Sequence, residues 1–523
     1  MLLGDLIEGL AILPIGAADR AIRVCDITED SRTVLPGSLF IARAGTKADG
    51  RRFIEQAIDC GAVAVLTTPA SVPANVGNDI AWLTSDDLLA AEAALAERFY
   101  GHPSRSLTLI GVTGTNGKTT TTHLVHQLLN ASRLRCGLIG TVSIDDGGGV
   151  SKAAMTTPPA LELSHSLARM VEHGYKAAAI EVSSHALDQQ RVAAMDFDVG
   201  VFTNLTGDHL DYHGTMEAYL AAKSRLFIGL RPDAAAVVNA DDPSTERLLR
   251  GCRARVVRCS MVNSGAECRA EFEASTADGT RVTLAGPWGR IQGRVPLIGA
   301  HNVMNCLQAA ACAHEAGVPA SKIQAALDRL AAPPGRLEVV TRRPGVRESF
   351  SVFVDYSHSD DSLTKALQTL RPLADQAGGR LSVVFGCGGD KDRTKRPRMG
   401  RVAATLADRL IVTSDNPRTE DPMAIIRQIL EGIEGQARMN LRIEPDRRAA
   451  IALAVSESRP GDVVLIAGKG HEDYQLLPDG EGGIKRIDFD DRVVVREALV
   501  AALGDRKHAT HSGATKSRQG VTR

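Results

Sequence analysis

The chain has 523 residues, which at about 150 residues per domain suggests roughly three domains. Its 61 Lys and Arg residues nearly balance its 62 Asp and Glu residues, so the formal charge is −1. Because nucleic acids and anionic lipids both require a clustered positive surface, this balance argues against either as the main partner. Hydrophobic residues at 44% and charged residues at 24% are typical of a globular protein and exclude a largely disordered chain.

The start of the chain predicts an amphipathic helix and not a signal peptide or membrane span. The first residues are apolar in places, but they include Asp5 and Glu8 and follow no basic segment. None of the nine cysteines forms a CxxC pair, so neither a zinc site nor a disulfide framework is predicted. We expect a cytoplasmic protein with reduced thiols.

The first domain is predicted over residues 1–103, as short α/β units that end near Pro103. A strand is expected over 38–42, a helix over 53–59 and a second strand over 62–66.

The central domain is predicted over residues 104–335. Apolar runs of strand length recur at 107–112, 177–182, 199–202 and 236–238, with helix-length segments between them. This alternation predicts a parallel sheet covered on both faces, with ligands at the carboxyl ends of its strands.

A third domain is predicted over residues 336–505, after the Pro333-Pro334-Gly335 boundary. Its expected strands are 352–354, 381–385, 410–412 and 463–467. Residues 506–523 are basic and nearly free of apolar side chains, which predicts a disordered tail.

The strongest local motif is a glycine-rich turn between a strand and a helix, LIGVTGTNGKTT from Leu109 to Thr120. Backbone N–H groups of such a turn bind phosphate oxygens at a helix N-terminus. Lys118 would contact the β- and γ-phosphates and Thr119 would ligate Mg²⁺. Val112 occupies a position that the strict pattern gives to glycine, so this is a variant phosphate loop. The predicted nucleotide-binding residues are Gly114, Thr115, Asn116, Gly117, Lys118, Thr119 and Thr120.

Two segments that follow the next central strands carry further candidates. Glu181 ends an apolar strand, where a carboxylate suits Mg²⁺, and Ser184 and Arg191 are placed to contact an anionic substrate. His209 lies in a segment rich in Asp and His and is a candidate ligand of a second metal ion. Lys223 by itself is typical of a solvated helix face.

Polar residues around the second boundary suit a nucleotide. Asn302 could pair with an adenine edge, Arg336 could reach a phosphate, and Asp355 follows a strand where it could bind a ribose hydroxyl. Each of these residues is equally compatible with a structural role.

Three loops of the third domain follow apolar strands, at 386–396, 415–418 and 468–472. Their residue types match a zwitterionic ligand, with Arg for a carboxylate and Asp or Glu for an ammonium group. Solvated charged loops are the alternative interpretation.

Taken together, these motifs resemble those of the Mur ligase family over residues 20–495. The motifs that carry the resemblance are Thr113–Thr120, Glu181-Val-Ser-Ser-His, Asn204–Gly214, His301-Asn302 and Asp415-Asn-Pro-Arg418. Asp30-Ser31-Arg32 with Gly45–Gly50 is similar to the family's UDP-binding domain. The resemblance implies a three-domain α/β fold, with a small UDP-binding domain, a central P-loop ATPase-type parallel-sheet domain and a C-terminal Rossmann-like domain.

The resemblance also implies a reaction in peptidoglycan precursor synthesis. ATP would phosphorylate the D-Glu γ-carboxylate of UDP-N-acetylmuramoyl-L-Ala-D-Glu, and the amine of meso-diaminopimelate would then displace the phosphate. This chemistry requires charge neutralisation on the transferring phosphoryl group and exclusion of water, since an acyl phosphate hydrolyses. We expect a monomer whose C-terminal domain closes with the amino acid.

Site roles follow from the resemblance position by position. Lys118, Glu181, His209 and Lys223 would be catalytic, and the Mg²⁺ ligands would be Thr119, Glu181, His209 and Lys223, the last as a carbamate. Asn302, Arg336, Asp355 and His358 would complete the ATP site. The UDP-sugar peptide would contact Ser31 at the uridine end, and Thr156, Thr157, Ser184, Gln189 and Arg191. The amino acid would contact Lys391, Asp415, Asn416, Pro417, Arg418, Gly468 and Glu472.

Several alternatives stay open. Lys391 stands where members that add diaminopimelate have Arg. Lys cannot make the bidentate hydrogen bonds that Arg makes to a carboxylate, although Arg393 or Arg396 could compensate. L-Lysine is therefore the alternative amino acid, against which Arg418 argues because lysine lacks a second carboxylate. Folate polyglutamylation does not explain the UDP-type first domain, and a P-loop kinase or NTPase leaves three C-terminal loops without a role. A catalytically inactive binding protein is disfavoured, because every expected catalytic residue is present.

Overall fold

A computed structural model describes residues 1–15, 20–45, 48–74, 79–343 and 348–514. It divides the chain into two compact units. The first unit comprises Met1–Glu271, Thr283–Gln292 and Met304–Leu327, and the second comprises Phe272–Val282, Gly293–Val303 and the segment from Asp328 onward. The predicted boundary at 335 therefore lies close to a boundary between units, whereas the one at 103 lies within the first unit. Residues 272–282 and 293–303, predicted for the central domain, belong to the second unit.

The first predicted domain contains a five-stranded sheet in the order β1-β5-β4-β3-β2. Strands β2 to β5 are parallel and β1 pairs with β5 in the antiparallel direction. Its elements are α1 (Leu3–Ile7), β1 (Leu13–Ile15), β2 (Asp26–Thr28), β3 (Ser38–Ile41), α2 (Ile54–Asp59), β4 (Ala64–Thr67), β5 (Ala81–Thr84) and α3 (Leu88–Phe99). Thr46 and Lys47 of the Gly45–Gly50 motif lie outside the described residues.

The central segment contains an eleven-stranded sheet in the order β16-β15-β14-β13-β12-β11-β6-β10-β7-β8-β9. Its strands are β6 (Thr108–Thr113), β7 (Cys136–Ile139), β8 (Ser143–Asp145), β9 (Val150–Lys152), β10 (Ala177–Glu181), β11 (Val199–Phe202), β12 (Ala235–Asn239), β13 (Arg255–Ser260), β14 (Cys268–Phe272), β15 (Thr280–Gly286) and β16 (Gly289–Val295). Strands β7, β10, β6, β11, β12, β13 and β14 run parallel, as the alternation of apolar runs predicts.

Eight helices accompany these strands. They are α4 (Lys118–Ala131), α5 (Ala160–Glu172), α6 (Ser184–Asp188), α7 (Leu210–His213), α8 (Met216–Ile228), α9 (Thr245–Leu248), α10 (Ala300–Glu315) and α11 (Ala320–Leu327). Strand β10 is buried along its whole length, because a strand with partners at both edges and helices over the sheet has no solvated side.

The third predicted domain contains a six-stranded sheet in the order β17-β18-β22-β19-β20-β21, and all neighbouring pairs except β17 with β18 are parallel. Its elements are β17 (Glu338–Val339), β18 (Ser351–Asp355), α12 (Asp360–Ala377), β19 (Leu381–Phe385), α13 (Lys395–Leu406), β20 (Arg409–Val412), α14 (Pro422–Leu430), β21 (Leu441–Ile443), α15 (Arg447–Ser456), β22 (Val463–Ala467), β23 (Tyr474–Pro478), β24 (Ile484–Asp488) and α16 (Asp491–Ala514). Strands β23 and β24 form a separate antiparallel hairpin.

Strand β19 shows how this sheet is covered on both faces. Val383 and Phe385 belong to one buried cluster, which includes Leu367 of α12. Val384, between them, belongs to a second cluster with Ile451 of α15. Because side chains of a strand alternate between faces, the helices pack as two layers around the sheet.

The last helix enters the predicted disordered tail. Helix α16 continues to Ala514, so residues 506–514 are helical, and residues 515–523 lie outside the described residues. Within the described ranges, no helix combines the length and the apolar character needed to cross a membrane.

Candidate active site

The turn after β6 has a shape that requires glycine. Gly114 has φ +148°, and a Cβ atom there would lie 1.9 Å from Thr203 Oγ1. Gly117 has φ +85° and directly precedes α4, where a Cβ atom would lie 2.7 Å from Asn305 Oδ1. The turn is held by Asn204, whose carbonyl accepts from Thr115 N at 2.8 Å and whose side-chain Oδ1 accepts from Asn116 N at 3.0 Å. The segment predicted to be a phosphate loop therefore forms a fixed strand–turn–helix connection.

Two lysines converge on the Gly114 carbonyl oxygen. Lys118 Nζ and Lys223 Nζ each donate to it at 2.9 Å. Lys223 is 1% exposed and lies 4.2 Å from the centre of the Tyr219 ring, so the interpretation of a solvated helix face is wrong. Burial, with the nearby Lys118 charge, holds the pKa of Lys223 well below its usual value. The low pKa of Lys223 favours its neutral amine, so Lys118 supplies the positive charge at this carbonyl, which suits an anion.

Glu181, at the end of β10, is fully buried beside the first turn of α4. Its Oε2 accepts from Thr119 Oγ1 at 2.9 Å and from Thr141 Oγ1 at 3.0 Å, and its Oε1 accepts from Thr141 N at 2.7 Å. A carboxylate and a hydroxyl in contact are hard oxygen donors of the type that Mg²⁺ prefers. The described part of the chain holds no group of three His, Cys, Asp or Glu side chains arranged for a metal ion. This donor set fits an ion that takes most of its ligands from phosphate and water.

A cavity of about 360 Å³ lies next to the side chains of Lys118 and Lys223. The predicted residues that line it are Lys118, Thr156, Thr157, Ser184, Gln189, Arg191, His209 and Lys223. Arg191 is oriented by its neighbours, since it donates to the Thr157 carbonyl at 2.5 Å and to Gln189 Oε1 at 2.7 Å. The structure thus brings the predicted phosphate-loop lysine and the predicted substrate residues to one opening.

His209 lies at the start of α7, with φ +54°, and its side chain is 45% exposed. Its Nε2 is 3.6 Å from Asp208 Oδ2, and its ring centre is 5.0 Å from that of His185. Burial lowers the pKa of His209, while Asp208 opposes that shift. A low pKa favours the neutral imidazole, which is the form that ligates metals.

Ser31 does not line this cavity. It follows β2 in the five-stranded sheet, is buried, and donates from Oγ to Gln56 Oε1 at 3.2 Å.

The second unit carries the predicted nucleotide residues Asn302, Arg336, Asp355 and His358. Asn302 is buried in the first turn of α10 and donates to the Ile298 carbonyl at 2.9 Å. The Arg336 guanidinium lies 4.7 Å from the centre of the Tyr356 ring. Asp355 ends β18 and accepts from Leu337 N at 2.8 Å, and the nearby His358 is exposed.

The three predicted amino-acid loops lie at the carboxyl ends of β19, β20 and β22. Asp415, Asn416 and Pro417 are buried, whereas Arg418 is partly exposed, with φ +55°, and donates to the Gly389 carbonyl at 2.7 Å. A Cβ atom on Gly468 would lie 2.4 Å from Asp415 Oδ2, which brings two of the loops together.

Of the charged side chains near Lys391, only some are available to a substrate. Lys391 and Arg393 are exposed. Arg396 is fully buried and donates twice to Glu420, at 2.9 Å each, which lowers the pKa of Glu420 to about 2. Compensation for Lys391 by Arg396, considered from the sequence, is therefore wrong.

Six residues near the candidate site were not predicted as site residues from the sequence. Those that line the cavity are Met155, Ser183, His185 and Tyr219, while Lys469, within the 468–472 loop, and Arg447 are buried near the amino-acid loops. Lys469 belongs to the Gly-Lys-Gly-His-Glu segment, which provided a signal. Ser183 and His185 belong to the Glu181-Val-Ser-Ser-His motif, which also provided a signal, whereas Met155, Tyr219 and Arg447 had none.

Three family models match this chain. They are described as the Mur ligase family catalytic domain, over residues 24–100, the Mur ligase middle domain, over 112–313, and the Mur ligase glutamate ligase domain, over 335–470.

Two relatives of similar length carry the name UDP-N-acetylmuramoyl-L-alanyl-D-glutamate--2,6-diaminopimelate ligase. The protein of that name from Synechococcus elongatus is 45% identical, over 91% of this chain and 94% of its own length. The one from Geobacillus kaustophilus is 44% identical, over 90% of this chain and 94% of its own length.

A solved structure of a ligase of the same name is 32% identical to this chain and has a TM-score of 0.69, covering 96% of this chain and 99% of its own. A Mycobacterium tuberculosis folylpolyglutamate synthase, at 21% identity and a TM-score of 0.57, covers 72% of this chain and 92% of its own and shares the fold. From the extent of these matches and the site geometry, the chain belongs to the Mur ligase family.

Proposed function

We propose that this chain is the ATP-dependent ligase that joins meso-diaminopimelate to the D-Glu γ-carboxylate of UDP-N-acetylmuramoyl-L-Ala-D-Glu, in the cytoplasmic synthesis of peptidoglycan precursors. The observation that carries the proposal is the cavity in which Lys118 of the phosphate loop meets Thr157, Ser184 and Arg191. The names of full-length relatives at 44–45% identity supply the substrate.

The reaction proceeds in two displacements. A γ-carboxylate oxygen of D-Glu attacks the γ-phosphorus of ATP, so that ADP leaves and an acyl phosphate forms. The amine then attacks the acyl carbon, inorganic phosphate leaves, and the nitrogen loses a proton. Lys118 and the backbone N–H groups at the start of α4 hold the phosphoryl oxygens and offset their charge.

The first metal site is assigned to Thr119 and Glu181, and His209 to a second. Mg²⁺ bound there would neutralise charge on the phosphoryl oxygens. Glu181 is already oriented for this role by its hydrogen bonds to Thr141.

We assign a carbamate to Lys223, expected to complete the second metal site with His209. The neutral amine would take up CO₂ and release a proton, so a buried neutral amine becomes an anionic carbamate. The support is that Lys223 is fully buried and makes no ion pair with any carboxylate of the described residues, which is costly for an ammonium group. A carbamate beside Lys118 would remove that cost.

Substrate ends are assigned to separate groups. Ser31 takes the uridine end, and the sugar peptide contacts Thr156, Thr157, Ser184, Gln189 and Arg191. ATP is completed by the loop residues Gly114 to Thr120 with Asn302, Arg336, Asp355 and His358. Domain boundaries at 103 and 335 and a monomeric state belong to the same proposal, whereas helix α16 runs through the boundary predicted at 505.

The amino acid is assigned to the loops that carry Lys391, Asp415–Arg418, Gly468 and Glu472. Arg418 provides a fork for the distal carboxylate of meso-diaminopimelate, while Asp415 and Glu472 supply negative charge for an ammonium group. The second candidate substrate is L-lysine, favoured only by the Lys391 substitution, since a lysine side chain makes a point-charge contact.

The test is phosphate release from ATP in the presence of UDP-N-acetylmuramoyl-L-Ala-D-Glu, with meso-diaminopimelate, with L-lysine or with no amino acid. We expect release with meso-diaminopimelate alone. Release with lysine would show that Lys391 outweighs Arg418, and release without any amino acid would identify an NTPase.

A further inference from the structure

Lys469 is a fully buried lysine at the edge of the amino-acid loops. It follows β22 and is 0% exposed, whereas the side chain of Glu472 is 19% exposed. A buried ammonium group is costly unless it is paired and hydrogen-bonded. The hydrogen-bond partners of Lys469 therefore indicate its role at this position.

The side chains of Lys469, Asn416 and Glu472 hydrogen-bond to one another in a closed triangle. Lys469 Nζ donates to Asn416 Oδ1 at 3.2 Å and to Glu472 Oε2 at 3.1 Å. Asn416 Nδ2 donates to the same Glu472 Oε2 at 2.8 Å. Because Lys469 donates to the amide oxygen, the amide nitrogen faces Glu472, so one lysine contributes to the orientation of both groups.

The triangle leaves one carboxylate oxygen of Glu472 for another partner. Oε2 accepts both hydrogen bonds, and Oε1 accepts none from the part of the chain that the structure describes. A carboxylate held by one oxygen presents the other in a defined direction to an incoming ammonium group. Lys469 itself is enclosed, so it can act on a ligand only through Asn416 and Glu472.

The triangle also joins separate pieces of the chain. Asn416 Oδ1 accepts from Leu476 N of β23 at 3.0 Å, and the Leu476 carbonyl accepts from Arg418 N at 3.0 Å. The orientation of Asn416 is thus coupled to the backbone of Arg418, to which we assign the distal carboxylate.

We propose that Lys469 is a positioning residue for the incoming amino acid, which fixes Asn416 and Glu472 so that Glu472 Oε1 accepts from the ammonium group of that substrate. This inference rests on the proposed function, and it assigns Lys469 no contact with ATP or the UDP-sugar.

The experiment compares full-length wild-type chain with Lys469→Met, measuring KM for meso-diaminopimelate and for ATP. Loss of a charge-assisted pair predicts a rise of about tenfold or more in KM for the amino acid, with KM for ATP changed less than about twofold. Lys485→Met, at an exposed position of β24, is the matched control and is expected to match wild type.

A second arm tests whether Lys469 acts through Glu472. Adding Lys469→Met to Glu472→Gln is expected to raise KM for the amino acid less than about twofold further, because the group to be positioned is already altered. Full additivity, equal rises in both KM values, or an unchanged KM for the amino acid would each overturn the inference.

If Lys469→Met does not fold, Lys469→Gln carries the same test, since its amide can still donate to Asn416 but lacks the charge. Failure of both variants to fold would overturn the inference, because Lys469 would then be needed for the fold itself. Absence of wild-type turnover with meso-diaminopimelate would instead reject the proposed function.

Discussion

At the scale of single residues, the positive charge beside the Gly114 carbonyl determines which ligand the predicted phosphate loop can bind. Lys118 and Lys223 both donate to its carbonyl oxygen, and the charge on Lys118 disfavours a second charge on the buried Lys223. Lys118→Ala should lower kcat for ligation by about 10²–10³-fold, the loss typical of a single stabilising donor. Phosphate release and thermal unfolding would be measured together, and we expect a melting temperature close to that of wild type.

Lys176→Ala is a suitable control for this prediction, because Lys176 is exposed and lies just before β10, at the opposite end of that strand from Glu181. It should retain wild-type turnover. An active Lys118→Ala enzyme would contradict the assignment of the phosphate loop.

Local sequence predicted the strand–turn–helix form of this loop, because its glycines, lysine and threonines are contiguous and their backbone conformations follow from the sequence. It did not predict the burial of Lys223. That burial depends on how α8 packs against the loop, and the pattern of residues around Lys223 is compatible with either environment.

At the scale of elements, α15 and α16 are joined by a buried ion pair beneath the amino-acid loops. Arg447 donates from Nε and Nη2 to Asp491 at 2.7 Å each, and both side chains are 0% exposed. Asp491→Asn would leave an uncompensated buried guanidinium and should lower the free energy of unfolding by about 3–5 kcal/mol, measured by urea denaturation.

The matched comparison is Glu497→Gln, which removes an exposed ion pair between the same two helices. Arg448 and Glu497 are 54% and 56% exposed, so the expected loss is below about 1 kcal/mol. Equal losses in the two variants would show that the buried pair has no special role.

The parallel strands were predictable as elements. Observed strands lie within a few residues of the predicted ones at β6, β10, β11, β19 and β22, because strands buried on both faces give continuous apolar runs. The hairpin β23–β24 was missed, since its strands are partly exposed and carry no such run. Leu476 N of this hairpin donates to Asn416 Oδ1. The contacts around Lys469 could therefore not be predicted without the hairpin.

At the scale of the whole molecule, the candidate site is distributed over the chain. The residues assigned to ATP extend along the sequence from Gly114 to His358. Spacing alone did not predict which motifs belong to one site. The resemblance to the Mur ligase family supplied that grouping. The side-chain geometry of each site needed the fold, because residues such as Asn416 and Glu472 are far apart along the chain.

The pH dependence of stability is also a property of the whole molecule, and Glu92 of α3 is expected to contribute to it. Glu92 is 3% exposed, and burial raises its pKa from 4.5 to about 7 although Arg43 Nε lies 3.0 Å away. Between pH 4.5 and 7 the folded chain keeps a proton that the unfolded chain releases, so raising the pH lowers the free energy of unfolding. The full effect is at most about 3 kcal/mol.

Glu92→Gln should flatten the dependence of melting temperature on pH between 5 and 7.5, whereas Glu162→Gln, at an exposed position of α5, should leave it unchanged. An identical pH slope in Glu92→Gln and wild type would show that Glu92 is ionised throughout this range.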